Sequence, residues 1–359
     1  MKVQTECAET VSALNAQMMP LPCVEQVKET ILNEQGLTEL SKTLLLSFLD
    51  KLTYGRRNMW LSQLNPLIVS KPELSNVRNI CPSENIVLVL LTNGISNNVQ
   101  EWLVHHLLMG VRKIIIFDDS VPASIEQALF HKAIEPFIDL GYSILHKIPE
   151  FPGRNFVGIE AGVNNYFLQI YGSEYDWVGF IGSDEFIVLH EEKCLASFLS
   201  NYTEFGGVVL QWRLFSPIGV PYHDMKKTYF EQYQYTVEDA HRHVKSIVQP
   251  KYVKEMALHH AFYEGNWAVN FQKDPVGGFS NAVLDPLQAF SVAEIRHFYM
   301  EDMQFAFYEK ICGLNNQRYE YRNIRISMLS HVFYEGSLHR ETSLPLIHND
   351  LVEIMSYLK

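Results

Sequence analysis

Cysteine is scarce in this chain of 359 residues: Cys7, Cys23, Cys81, Cys194 and Cys312 are odd in number, widely scattered and form no C-x-x-C pair. That pattern argues against a disulfide framework and against a cysteine zinc site, and it fits a reducing compartment. Positive charge is in deficit as well. Lys and Arg total 29 against 41 acidic residues, a formal net charge of -12. No basic block is interleaved with aromatics, so a nucleic-acid partner is not expected. No apolar run approaches the roughly 20 residues that cross a bilayer; the longest strongly apolar one is Ile86 to Leu91. The N-terminal stretch MKVQTECAETVSALNAQMM lacks a continuous apolar core, so the expectation is a cytoplasmic protein with no transmembrane segment. Peripheral membrane association stays compatible with this, because it needs amphipathicity rather than length. The absence of G-x-S-x-G, Walker A and G-x-G-x-x-G removes serine hydrolase, P-loop and standard dinucleotide readings from the front rank.

What is present begins with 47% hydrophobic residues, enough for a substantial core. Residues 1–80 read as a helical extension, with apolar residues three and four apart in Val24–Leu32 and Leu37–Leu49. Asn65-Pro66, Lys71-Pro72 and Cys81-Pro82-Ser83 punctuate a change of pattern, so a second unit is expected over 81–359. There IVLVLLTN, a helical NNVQEWLVHHLLMG and VRKIIIFDDS follow one another. Helices are then expected over Ser124–Leu140 and about Val157–Tyr171, with a strand over Tyr142–Ile148 between them. Continuous apolar strands separated by helices indicate an α/β fold with a mostly parallel sheet covered on both faces. Ligands on such sheets bind beyond the carboxyl ends of the strands.

The stretch VGFIGSDEFIVLH, Val178–His190, breaks an apolar run with Gly182, Ser183, Asp184 and Glu185, then resumes it at once. A cap plus a surface charge is the bland explanation for an Asp-Glu pair. At a strand end the same carboxylates are hard oxygen ligands suited to Mg or Mn, and a metal there neutralises a diphosphate leaving group. Asp118, Asp119 and Ser120 close an earlier strand and have the same two readings: a loop cap, or contacts to the ribose and base of a nucleotide. His259 and His260 are structural by default, but a neutral imidazole beside a carboxylate also suits a divalent metal. Glu301 and Asp302 open an expected helix, where the dipole favours acids; the functional alternative is a general base.

Several of these segments together resemble the nucleotide-diphospho-sugar glycosyltransferases of GT-A fold, in the family 2-like and family 92 group. The resemblance rests on Thr92-Asn93, Glu101-Trp102-Leu-Val-His-His106, Phe117-Asp118-Asp119-Ser120 and Trp177-Val-Gly-Phe-Ile-Gly-Ser-Asp-Glu-Phe186. Lys245-Ser-Ile-Val-Gln-Pro250 with His259 follows, then His297-Phe-Tyr with Phe305 and Lys310. They occur in the family's order over roughly 200 residues. The resemblance implies a GT-A-like, Rossmann-type sheet flanked by helices. It implies that Asp184 and His259 hold Mn2+ or Mg2+, and that Thr92, Asn93, Asp118, Asp119 and Ser183 contact the nucleotide-sugar donor. It also implies that Asp302, with Glu301 next, deprotonates a hydroxyl of a glycan, lipid-linked or protein acceptor, with inversion. Gly182 stands where the first Asp of the D-x-D-E-F signature is found, and Gly94 replaces the Glu of the Asn-Glu strand end.

Trp212, Tyr222, Tyr263 and Trp267 offer an apolar platform for a sugar ring, against a core role for the same rings. Two other classes remain open. A non-catalytic nucleotide-sugar or glycan-binding protein explains Gly182. A metal-dependent phosphoester hydrolase also uses strand-end Asp and His, but leaves the E-W-x-x-x-H and D-E-F segments unexplained.

Overall fold

The computed structural model describes residues 82–92, 99–120, 122–123, 125–149, 156–217, 220, 223–224, 227–237, 243–276, 290–299 and 338–357, with scattered helical positions between 28 and 46. Those scattered positions include Lys28, Leu32 and Lys42. The rest of that extension and the helix expected to open at Glu301 and Asp302 lie outside the described residues.

In chain order, β1 (Ser83–Thr92), α1 (Val99–Leu108), β2 (Val111–Asp118), α2 (Ile125–Asp139), β3 (Ser143–Lys147) and α3 (Phe156–Tyr171) form the first half. Then come β4 (Trp177–Phe180), β5 (Glu185–Leu189), α4 (Leu195–Ser200), β6 (Gly207–Ser216), α5 (Tyr229–Gln232), β7 (Tyr235–Val237) and β8 (Val244–Val248). The last are β9 (Val253–Met256), β10 (Ala261–Tyr263), β11 (Ala268–Val269), β12 (Pro275–Val276), β13 (Ala293–His297), β14 (Leu338–Arg340) and α6 (His348–Tyr357).

Among the described residues a 12-stranded sheet runs β12-β11-β6-β8-β4-β1-β2-β3 along its main path. Its β4-β1-β2-β3 part is parallel, as the alternation of apolar strands and helices requires. β8 lies antiparallel between β4 and β6, and the sheet branches where β13 pairs with both β5 and β6.

Strand β1 shows why this sheet is covered on both faces. Successive side chains of a strand point to opposite sides. Accordingly Ile86, Leu88 and Leu90 join a core with Trp102, Leu103, Phe130 and Phe137 from α1 and α2. Val87 and Val89 join a second core with Ile159, Val163 and Phe167 from α3. An unbroken apolar run is what such a two-sided strand needs. Helix α1 is buried at every residue, polar ones included.

The interrupted stretch now resolves into two strands with different neighbours. β4 lies beside β1, whereas β5 leaves the main path and pairs antiparallel with β13. The small and acidic residues between them make the turn that redirects the chain: Glu185 N–H donates to the Gly182 carbonyl at 3.1 Å.

Cys194, buried at the start of α4, is disulfide-bonded, with its partner outside the described residues. This corrects the reading against disulfides: five cysteines still leave room for up to two bridges, and only the fold brings distant cysteines together. No helix among the described residues is long and apolar enough to cross a membrane.

Candidate active site

The sheet register brings the site together. Thr92 pairs with Asp118 at the carboxyl ends of β1 and β2, and β4 runs parallel to β1 on its other side, so the turn after β4 emerges at that same end. In the antiparallel β5–β13 pair, His297 lies opposite Glu185. The imidazole of His297 is thereby placed beside Asp184, with Nε2 3.2 Å from Oδ2. Phe298 N–H donates to the Asp184 carbonyl at 2.8 Å and fixes the turn to the end of β13. The Asp184 side chain keeps 23% exposure, so a ligand reaches it, whereas that of His297 keeps 5%.

Behind the turn lies a buried cation. Lys245 Nζ of β8 stands 3.3 Å from Glu185 Oε2 and 3.2 Å from Glu160 Oε1 of α3. Burial works to lower the Lys245 pKa, but the two carboxylates overcome it and hold the ammonium above its ordinary range. Burial raises the Glu160 pKa, and Lys245 opposes that shift without cancelling it. The Glu185 carboxylate also meets backbone: Gly182 N–H donates to Oε2 at 2.5 Å. A Cβ at position 182 would stand 2.9 Å from Asp184 Oδ1 and 3.0 Å from Glu185 Oε2. Glycine therefore lets both carboxylates fold close over the turn.

His259 follows β9, and its ring packs edge-on against Trp212, centroids 5.0 Å apart. Trp212 also stacks with His243 at 5.2 Å and meets His297 at 4.2 Å. Burial first, then Lys245 and the neighbouring imidazoles, push His259 down to about 2, so it is neutral at physiological pH. Among the described residues its buried Nδ1 and that of His297 have no hydrogen-bond partner.

Asp118 faces its own loop. It accepts from Ser120 N–H at 2.8 Å, from the Ser120 hydroxyl, from Gln127 Nε2 at 3.0 Å and from His131 Nε2 at 2.7 Å. Burial alone would raise its pKa; the hydrogen bonds from Ser120, His131 and Gln127 lower it instead. Asp119 N–H donates to the Thr92 carbonyl at 2.7 Å, tying the two strand ends together. Ser183 is half-buried within the turn. Asn93, Glu301 and Asp302 lie outside the described residues, as do Gly94, Phe305 and Lys310.

Of the four aromatic residues, Trp212 lies at the site. Tyr263 packs over Gly206 and Gly207, its ring and hydroxyl filling the space that a Cβ at either glycine would need. The Trp267 carbonyl accepts from Gly206 N–H at 2.8 Å. Gly207 is five residues from Trp212 along β6, ~17 Å, so Tyr263 and Trp267 serve the far end of the sheet. Tyr222 lies outside the described residues.

The family model described as Glycosyltransferase family 92 matches residues 95–309, more than half of the chain and the whole of this site from α1 to His297. The chain belongs to glycosyltransferase family 92. The matched segment includes Asp184, Lys245, His259 and His297.

Three solved structures are also similar to this family 92 chain. The mannosyltransferase Ktr4p from S. cerevisiae is 12% identical, with 50% of this chain and 57% of that chain covered, at a TM-score of 0.22. UDP-glucose pyrophosphorylase complexed with UDP-glucose is 9% identical, with coverages of 60% and 90% and a TM-score of 0.23. Mannose-1-phosphate geranyltransferase from Thermus thermophilus is 10% identical, with coverages of 76% and 67% and a TM-score of 0.23. The chain thus spans little more than half of the first of these, and likeness at this level does not bear on its substrate. No curated protein matches the sequence.

Sequence reasoning named Asp184 and His259 and marked His297 and Lys245 as motif positions, but it gave Lys245 and Glu160 no role. A lysine inside the apolar strand run Val244–Val248 is the signal for the first: a buried ammonium demands carboxylate partners. The His297-Phe-Tyr motif marked His297, but only the β5–β13 register places it beside Asp184.

Proposed function

We propose that this family 92 protein transfers a sugar from a nucleotide-sugar donor to a hydroxyl of a glycan, lipid-linked or protein acceptor. The observation that carries the reading is the Asp184 turn: a partly exposed carboxylate at a strand end, with the His297 imidazole at 3.2 Å and a compensated Lys245 cluster behind it.

A divalent ion suits these residues in a particular way. Among the described residues no three His, Cys, Asp or Glu side chains gather into a ready-made cage. Mg2+ and Mn2+ at diphosphate sites need only one or two protein ligands, the rest coming from phosphate and water. Asp184 and the neutral His259 would hold such an ion, which when bound supplies positive charge to the departing diphosphate. The residues themselves do the rest. Thr92, Asn93, Asp118, Asp119 and Ser183 orient the donor. As the anomeric C–O bond to the diphosphate breaks, the acceptor oxygen bonds to that carbon from the opposite face, inverting it, and the acceptor proton passes to Asp302, with Glu301 as the alternative base.

Gly182 favours one second reading, a protein that binds nucleotide sugar or glycan without turnover. The Cys194 disulfide favours an oxidising compartment over the cytoplasm, and a donor supplied there. The test is release of nucleoside diphosphate from a panel of nucleotide sugars, with and without Mn2+ and with simple saccharide acceptors. Acceptor-dependent release that Asp184→Asn abolishes supports transfer. Binding with no release on any acceptor supports the second reading.

A further inference from the structure

The strand that follows the Asp184 turn has only one strand neighbour among the described residues. β5 pairs with β13, and no described strand pairs with its other edge. Alternate residues of an antiparallel strand direct both backbone groups to the same side. His190 N–H, on the β13 side, donates to the Val292 carbonyl at 2.9 Å. The groups of Glu185 and Ile187 therefore face the opposite edge, deep in the protein, where an unpaired amide or carbonyl is costly.

Three side chains of α1 take those places. Trp102 Nε1 donates to the Glu185 carbonyl at 2.6 Å. His105 Nε2 donates to the Ile187 carbonyl at 2.6 Å, and Ile187 N–H donates to His106 Nε2 at 3.3 Å. His106 Nδ1 in turn donates to the Trp102 carbonyl at 2.8 Å, which leaves Nε2 free to accept. The three lie at i, i+3 and i+4, one face of the helix, and all are fully buried. Glu101 completes the motif on another side, accepting from Tyr229 N–H at 2.9 Å at the start of α5. The rings of Tyr229 and Phe230 then pack on Phe186, 5.9 and 5.4 Å away.

We infer that α1 serves as a side-chain substitute for the strand missing beside β5, and that Trp102, His105 and His106 are positioning residues for Asp184. Trp102 pins the residue immediately after Asp184, while Phe298 N–H pins the Asp184 carbonyl from the β13 side. The turn is clamped from both edges one residue apart, so the height of the carboxylate is set by α1. A site displaced by a fraction of an ångström loses affinity even when its own residues are intact. The proposal rests on the reading that Asp184 faces a nucleoside diphosphate.

The test uses Trp102→Phe, which keeps a ring and removes the N–H. It also uses His106→Gln, which retains an acceptor, His106→Leu, which does not, and Ile134→Val in α2 as an equally buried control. Two readouts are taken: hydrogen exchange of the peptide spanning 185–189 in the absence of ligand, and affinity for uridine and guanosine diphosphates with MnCl2. Trp102→Phe and His106→Leu are expected to speed exchange in that peptide and weaken nucleotide binding about fivefold, the equivalent of one hydrogen bond. His106→Gln is expected to stay within about twofold, and Ile134→Val to leave both readouts unchanged. Unchanged affinity in folded Trp102→Phe and His106→Leu overturns the positioning role, as does a loss in Ile134→Val of the same size. If the wild-type protein binds neither of these nor adenosine or cytidine diphosphate, the sugar-transfer reading fails and exchange alone decides the clamp: protection in 185–189 that survives Trp102→Phe overturns it.

Discussion

Lys245 sets the charge balance of the Asp184 turn, and Gly182 sets its space. Among the described residues Lys245 is the one cation in contact with Glu160 and Glu185, and all three are largely withdrawn from water. Lys245→Met should leave two buried carboxylates facing each other and cost about 3–5 kcal/mol, read from urea unfolding. Glu160→Gln should cost less, because Glu185 still answers the ammonium. Position 182 makes a second test. Gly182→Asp restores the family-like acid, yet its Cβ would enter space within 3.0 Å of two carboxylate oxygens. Turning the two carboxylates aside loosens the 182 amide's bond to Glu185 and disturbs the Asp184 contact to His297, so the expected result is a loss of about 1–3 kcal/mol in stability. Mn2+-nucleotide affinity should be no better than wild type. A titration in which Gly182→Asp binds tenfold more tightly would show that the glycine is a defect rather than an accommodation.

The disulfide at Cys194 belongs to the scale of elements, since it ties the start of α4 to a remote part of the chain. Reduction should lower stability by about 2–4 kcal/mol, measured as a fall in melting temperature with dithiothreitol. Cys194 should also stay unlabelled by maleimide until reductant is added. Much of the element pattern was legible beforehand. α2 and α3 were expected over Ser124–Leu140 and Val157–Tyr171 and occupy Ile125–Asp139 and Phe156–Tyr171, because an unbroken apolar run between periodic segments has few other solutions. The turn at Gly182–Asp184 was legible as an interruption, but the different neighbours of the strands flanking it were not. Register is a property of two segments, and β5 and β13 are about 100 residues apart. The two-residue strands β11 and β12 are too short to show any period. Glu101, Trp102 and His106 were visible as a motif, yet their task, pairing the bare edge of β5, requires knowing that the edge is bare.

At the scale of the whole molecule, acid should unfold this protein early for reasons set in its core. His105 is held down to about 4 by burial first, and His106 is lowered well below its ordinary range by burial and by His105. The unfolded chain takes up protons near 6.5 while the folded one resists until about 4. Stability is therefore complete above about 6.5 and lost as pH falls toward 4, by on the order of 3 kcal/mol for His105 alone. Urea midpoints between pH 7.5 and 4 check this, and His105→Gln should flatten the slope. Function at the same scale turns on whether the intact chain takes a nucleoside diphosphate at the Asp184 turn. The most direct measurement is calorimetric titration with uridine, guanosine, adenosine and cytidine diphosphates, in Mn2+ and in EDTA, on the wild type and on Asp184→Asn. The predicted result is binding of one base that needs the ion and collapses in the variant. Binding that ignores both EDTA and the Asp184 substitution would contradict it and place the nucleotide elsewhere on the molecule.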